Sequence, residues 1–73
     1  MTIRSLRDVV PQCDTMIQVA GVTDNTPNEV YWGKACDMPD KILDAELDYF
    51  YPCVSIDNRP YIVAITFDKA VLV

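Results

Sequence analysis

The 73-residue chain contains no histidine and only two glycines, Gly21 and Gly33. Without histidine it lacks the commonest general base, the side chain that titrates nearest neutral pH and the most used metal ligand. Two isolated glycines cannot write a phosphate-cradling loop, because P-loop and dinucleotide-binding patterns need more of them. Cysteine is sparse as well. Cys13, Cys36 and Cys53 stand far apart with no C-x-x-C spacing, and their odd number argues against a closed disulfide framework and a zinc site. They read as small apolar residues in or near the core.

Basic residues are few: six Lys and Arg against eleven Asp and Glu leave a formal net charge of −5. That balance disfavours direct contact with nucleic acid, which begins with a basic footprint, and it suits a protein partner with a basic surface. No apolar run approaches the roughly 18 residues needed to span a bilayer. The N-terminal residues lack the continuous apolar stretch of a secretory signal, so the expected location is the cytoplasm and no membrane partner is expected. Ser5, Ser55 and the cysteines have no histidine to activate them, and so small a chain has little room for an enclosed pocket. The expectation is a protein that is not an enzyme, with no catalytic residue, no cofactor and no metal.

What the chain has is apolar content: 51% of its residues are hydrophobic. It reads as one domain over residues 1–73. A domain of this size buries only roughly 60% of the surface its unfolded chain exposes, so apolar surface is left for a partner or a second copy, and a homodimer enters as one reading. The clearest pattern is a hairpin over residues 47–67, two aromatic and β-branched runs joined by Asp57-Asn58-Arg59-Pro60. In its second run Tyr61, Val63, Ile65 and Phe67 take one face, while Ile62, Ala64 and Thr66 take the other. Apolar residues on both faces mark a central strand, or one covered on both sides. Pro52 in the first run marks an edge, a bulge or a break.

Upstream, Thr2 caps a short helix with Ile3, Leu6, Val9 and Val10 on one face, ended by Pro11. Arg4 and Arg7 fall on its solvated side. Residues 15–22 read as a strand, residues 23–28 as an exposed loop of turn formers, and residues 29–35 as a second strand. In that second strand Val30 and Trp32 share one face and Tyr31 takes the other, with Gly33 at a bulge or a close backbone approach. Asp37 then caps a two-turn helix with Pro39 in its first turn. The order α-β-β-α-β-β gives an α+β fold, a mostly antiparallel sheet of about four strands with an N-terminal helix and a short helix in the middle. The tail, residues 68–73, either extends the last strand or meets a partner.

Two constellations carry a functional reading. Residues 37–48 hold Asp37, Asp40, Asp44, Glu46 and Asp48 against a single Lys41. On a helix Asp40 and Asp44 stand one turn apart and repel, so they do not serve the helix itself. The spacing does not match an EF-hand, which needs a central glycine and ligands on alternate residues. An acidic face for a basic protein surface is the reading that remains beside a plain solvated face. The second constellation is aromatic. Among Tyr31, Trp32, Tyr49, Phe50, Tyr51 and Tyr61, core packing and cross-strand pairing account for most, while Tyr31 and one of Tyr49 or Tyr51 are the tyrosines placed to face outward, and tyrosine is a frequent interface anchor. The candidate partner-binding set is therefore Asp37, Asp40, Asp44, Asp48, Tyr31, Tyr49 and Tyr51.

The segment Trp32-Gly33-Lys34-Ala35-Cys36-Asp37-Met38-Pro39-Asp40-Lys41-Ile42-Leu43, with the helix that begins Thr2-Ile3-Arg4-Ser5-Leu6, resembles small uncharacterised proteins of prophages and mobile elements in gut Gram-positive bacteria. The shared pattern is a strand ending in a Gly-Lys-Ala step, a Met-Pro helix start and a following strand. It carries no catalytic residue across. What the resemblance implies is a phage accessory role. The function expected is that of a small acidic non-catalytic protein–protein interaction protein. Two alternatives stay open: a self-assembling structural homo-oligomer, and an inhibitor of a host defence nuclease of the anti-CRISPR kind.

Overall fold

A computed structural model describes residues 1–10, 12 and 14–68. The described elements are α1 (Ile3–Val9), β1 (Met16–Thr23), β2 (Thr26–Lys34), a 3-10 turn (Ala35–Asp37), α2 (Asp40–Leu43), β3 (Tyr49–Val54) and β4 (Pro60–Thr66). This is the expected α+β order. The four strands form one sheet in the order β2-β1-β4-β3. Two antiparallel hairpins, β1–β2 and β3–β4, meet along a parallel β1–β4 seam. β4 is therefore central, as its two apolar faces require, and β3 is an edge strand, which accommodates Pro52.

α1 starts where Thr2 accepts the Ser5 N–H at 3.4 Å and stops at Val10, whose backbone is extended. Pro11, which was expected to end the helix, lies outside the described residues, as do Cys13 and residues 69–73 of the tail. Ile3 and Leu6 are buried and Val10 packs against the core, but Val9 is exposed. The N-terminus is tied down from the other side. The Ile3 N–H donates to the Ala45 carbonyl at 3.0 Å and the Leu47 N–H to the Met1 carbonyl at 2.7 Å.

One face of the sheet holds the core. Ile17 and Val19 of β1 and Ala64 of β4 pack against Ile3, Leu6, Ala35, Met38, Ile42, Leu43, Ala45 and Leu47. Burying a side chain of this size contributes about 1.5–3 kcal/mol relative to exposure, so these few residues dominate the stability of a small domain. Leu47, expected at the start of a strand, belongs to this core, and β3 begins two residues later at Tyr49.

Several local expectations are corrected. The span 23–28 is not a loop: a two-residue turn at Asp24-Asn25, both at positive φ (52° and 64°), joins β1 directly to β2. Asn and Asp tolerate that conformation, which matches the twist of a hairpin. Pro27 falls inside β2, where an edge strand tolerates a missing donor. Asp37 does not cap α2. It closes the 3-10 turn, and Pro39 stands at the N-cap with no side-chain hydrogen bond, leaving a helix of four residues held by Ile42 and Leu43 in the core. Cys36 is exposed instead of near the core, while Cys53 is half-buried.

The faces of β2 are also revised. Val19 pairs with Tyr31 and Ala20 with Glu29, so Val30 is an extra residue, a bulge that breaks the alternation. Val30 and Tyr31 both pack toward the helices and Trp32 turns to the opposite face. Gly33 is not the bulge. It is the place where the Tyr31 ring folds back: the Tyr31 hydroxyl donates to the Lys34 carbonyl at 2.6 Å, and a Cβ on residue 33 would meet that hydroxyl at 2.8 Å.

Candidate functional site: the uncovered face of the sheet

The registers place the outward rows directly. Trp32, Gln18, Val63 and Tyr51 lie side by side across the four strands, followed by Glu29, Ala20, Ile65 and Tyr49. No described helix covers this face. Val63 and Ile65 are nevertheless only 5% and 6% exposed, because the aromatic residues around them roof them over. Tyr49 and Tyr51, two residues apart on β3, stack with ring centroids 6.4 Å apart. Trp32 on β2 and Tyr61 on β4 lean toward each other over β1 and meet edge to face at 5.1 Å. Trp32, Tyr49 and Tyr51 remain roughly half exposed, which is unusual for large aromatics with no partner in a small chain.

At one end of this face the β3–β4 connection bends alongside Trp32. It is held by the Asn58 N–H donating to the Ser55 carbonyl at 2.9 Å, the Ser55 N–H donating to the Arg59 carbonyl at 3.0 Å, and Asn58 at positive φ (63°). Val54 at the end of β3 and Ile56 of this connection are exposed, Ile56 completely. The Tyr61 phenol is raised above its ordinary range, chiefly by burial and further by the hydrogen bond with the Cys53 thiol. On the helix side the Tyr31 phenol is raised by burial, with Asp37 adding to the effect.

The residues singled out from the sequence divide between two places. Tyr49 and Tyr51 lie together on the uncovered face, and Tyr31 lies on the opposite one with its hydroxyl engaged. Asp40 and Asp44 sit on the helix side and share Arg4. Its Nη2 donates to Asp44 Oδ1 at 2.9 Å and to Asp40 Oδ1 at 3.4 Å, and its Nε donates to Asp44 Oδ1 at 3.3 Å. The hydrogen bond with Asp44 is the main reason the guanidinium holds its proton more firmly than usual. The repulsion between the two carboxylates is thus met by a cation from α1, and Arg4 is no plain solvated residue. Arg7 approaches Asp8 at 3.6 Å, and the N-terminal amine pairs with Glu46 at 3.0 Å. Asp37 and Asp48 are exposed near this acidic segment, Asp48 giving its backbone N–H to the Ile65 carbonyl at 2.9 Å.

The acidic stretch and the outward tyrosines therefore do not form one surface. Trp32 and Tyr61 are the site residues that sequence reasoning missed. Trp32 was read as sharing a face with Val30, and only the bulge at Val30 separates them. Among the described residues no three acidic, cysteine or histidine side chains converge to hold a metal ion, and no helix is long and apolar enough to cross a membrane.

Comparison with protein-family models, with curated proteins and with solved structures finds no match to this chain.

Proposed function

We propose that the chain is a small acidic, non-catalytic protein–protein interaction protein of phage or mobile-element type, working in the host cytoplasm. It engages a protein partner through the uncovered face of its sheet. The observation that carries this reading is the pair of stacked tyrosines beside the Trp32–Tyr61 contact, half exposed on a face that no described helix covers. Aromatic side chains supply large contact area at low entropic cost and dominate interface energetics. The phage setting rests on the resemblance of residues 32–43.

Charge distribution points to the kind of partner. On the helix side Asp40 and Asp44 share Arg4, Asp8 meets Arg7 and Glu46 meets the N-terminal amine, while exposed Asp37 and Asp48 make no ion pair among the described residues. The hollows at the end of the uncovered face are lined by Asp14, Glu29 and Asp57 against Arg59 alone. A basic partner surface complements that excess. Self-assembly through strand edges is opposed by the prolines, since Pro27 in β2 and Pro52 in β3 each remove a backbone donor from the two outer strands.

Affinity capture from a lysate of the bacterium that carries the gene tests the reading. Wild-type chain retains a specific protein, the Tyr49→Ala/Tyr51→Ala double variant loses it, and the Asp40→Asn/Asp44→Asn variant keeps it. Capture insensitive to the tyrosines, or a concentration-dependent dimer in sedimentation with no other partner, overturns it.

A further inference from the structure

Three hollows of about 530, 230 and 360 Å³ adjoin at the end of the sheet where β1 and β4 begin, and Tyr61 lines all three. The 360 Å³ hollow is unlike the others in its charge: Glu29 is the one residue in its wall that is charged at neutral pH, whereas Arg59 lines the other two. Its sides are Trp32 and Tyr61, whose rings are nearly perpendicular at 82°. The Glu29 carboxylate is engaged at one oxygen, its Oε1 accepting from Gln18 Nε2 at 3.0 Å, and no described residue donates to the other. The exposed side chains of Val54 and Ile56 complete the rim.

We propose that this hollow receives an arginine side chain presented by the protein partner. The inference rests on the reading that the chain is a protein-binding module. A guanidinium suits each wall. It is planar and weakly hydrated, it stacks on aromatic faces, and its fork of N–H donors matches a carboxylate. Half-exposed Trp32 supplies the aromatic face, Glu29 the counter-charge, and Val54 with Ile56 the contact for apolar residues flanking that arginine. A neutral side chain leaves Glu29 without a cation, and an acidic one meets like charge at the only ionised wall. That asymmetry gives selectivity as well as attraction.

Titration of the isotopically labelled full chain with acetyl-Leu-Arg-Leu-amide, followed by NMR, tests the inference. The Trp32 indole and the Tyr61 ring should show saturable shifts. The citrulline analogue, which keeps the shape and removes the charge, should bind about tenfold more weakly, and Glu29→Gln should lose a similar factor. Glu29 is exposed, so this variant keeps the wild-type spectrum elsewhere. Absence of saturable shifts, equal binding of the citrulline peptide, or unchanged affinity of Glu29→Gln overturns it. Capture of a partner that still depends on Tyr49 and Tyr51 while the arginine peptide fails removes the arginine pocket and leaves the broader reading standing. Arginine-selective binding with capture indifferent to those tyrosines supports the pocket and removes the broader reading.

Discussion

On the helix side of the sheet, Ile17, Val19 and Ala64 are completely buried in one cluster with Ile3, Leu6 and Leu43, and the rim acids Asp8, Asp40, Asp44 and Glu46 each meet a cation. On the other side the same strands present Trp32, Tyr49, Tyr51 and Tyr61 around Val63 and Ile65, with Glu29 and Asp57 making no ion pair among the described residues. The first face consists mainly of aliphatic groups packed under the helices, and part of its acidic rim is paired with Arg4, Arg7 and the N-terminal amine. The second consists of flat amphipathic rings beside uncompensated carboxylates. One alternating sequence thus builds the core on one side and leaves half-exposed aromatic residues on the other.

The sharpest contrast between the faces is in stability. Leu6→Ala should cost about 2–5 kcal/mol, a large fraction of what a domain of this size holds, because the cavity opens in the helix-covered core. The Tyr49→Ala/Tyr51→Ala pair should shift a urea midpoint less than that single change, as both rings are already half in water. A larger shift for the tyrosines would show that the uncovered face is a second core.

Next in size is Gly33→Ala. The new methyl meets the Tyr31 hydroxyl, so the ring must move and lose its bond to the Lys34 carbonyl, at about 1–3 kcal/mol. In a Tyr31→Phe background the cost should fall, and a double-mutant cycle measures the coupling. Additive losses would mean that the ring is not what restricts residue 33.

Alkaline titration compares the faces through one phenol on each. Tyr31 on the helix side and Tyr61 on the open side are both raised above the ordinary value of about 10, each chiefly by burial. The folded chain keeps these protons longer than the unfolded chain does. Stability is therefore full below about pH 10 and declines as pH rises through the raised values. Cys53→Ala should bring the Tyr61 titration down while leaving Tyr31 unchanged, followed by phenolate absorbance with Tyr31→Phe and Tyr61→Phe as references.

The smallest effect belongs to Arg4→Gln. Its partners are exposed, so the loss in a thermal melt should be slight and should shrink further in high salt. A large, salt-insensitive loss would contradict the view that this cluster only neutralises the helix side.

Much of the fold was legible because local chemistry and burial agreed. Thr2 announced its helix, two apolar faces marked β4 as central or covered on both sides, and Pro52 marked an edge, a bulge or a break, of which the edge is what the sheet shows. The β1–β2 turn was hidden because residues 23–28 are all turn formers, and Pro27 concealed the start of β2. The candidate site was only half legible. Tyr49 and Tyr51 follow simple alternation, but one bulged residue, Val30, sends Tyr31 inward and Trp32 outward. The pairing of Arg4 with Asp40 and Asp44 spans 36 and 40 residues, a distance at which no local spacing rule operates.

Residue-level hydroxyl-radical footprinting of the chain alone and bound to its captured partner addresses the division of labour directly. The account predicts protection of Trp32, Tyr49, Tyr51 and Tyr61 in the complex, with Arg4 and Val9 on the helix side as reactive as in the free chain. Protection centred on α1 and α2, with the four aromatic residues unchanged, would contradict it.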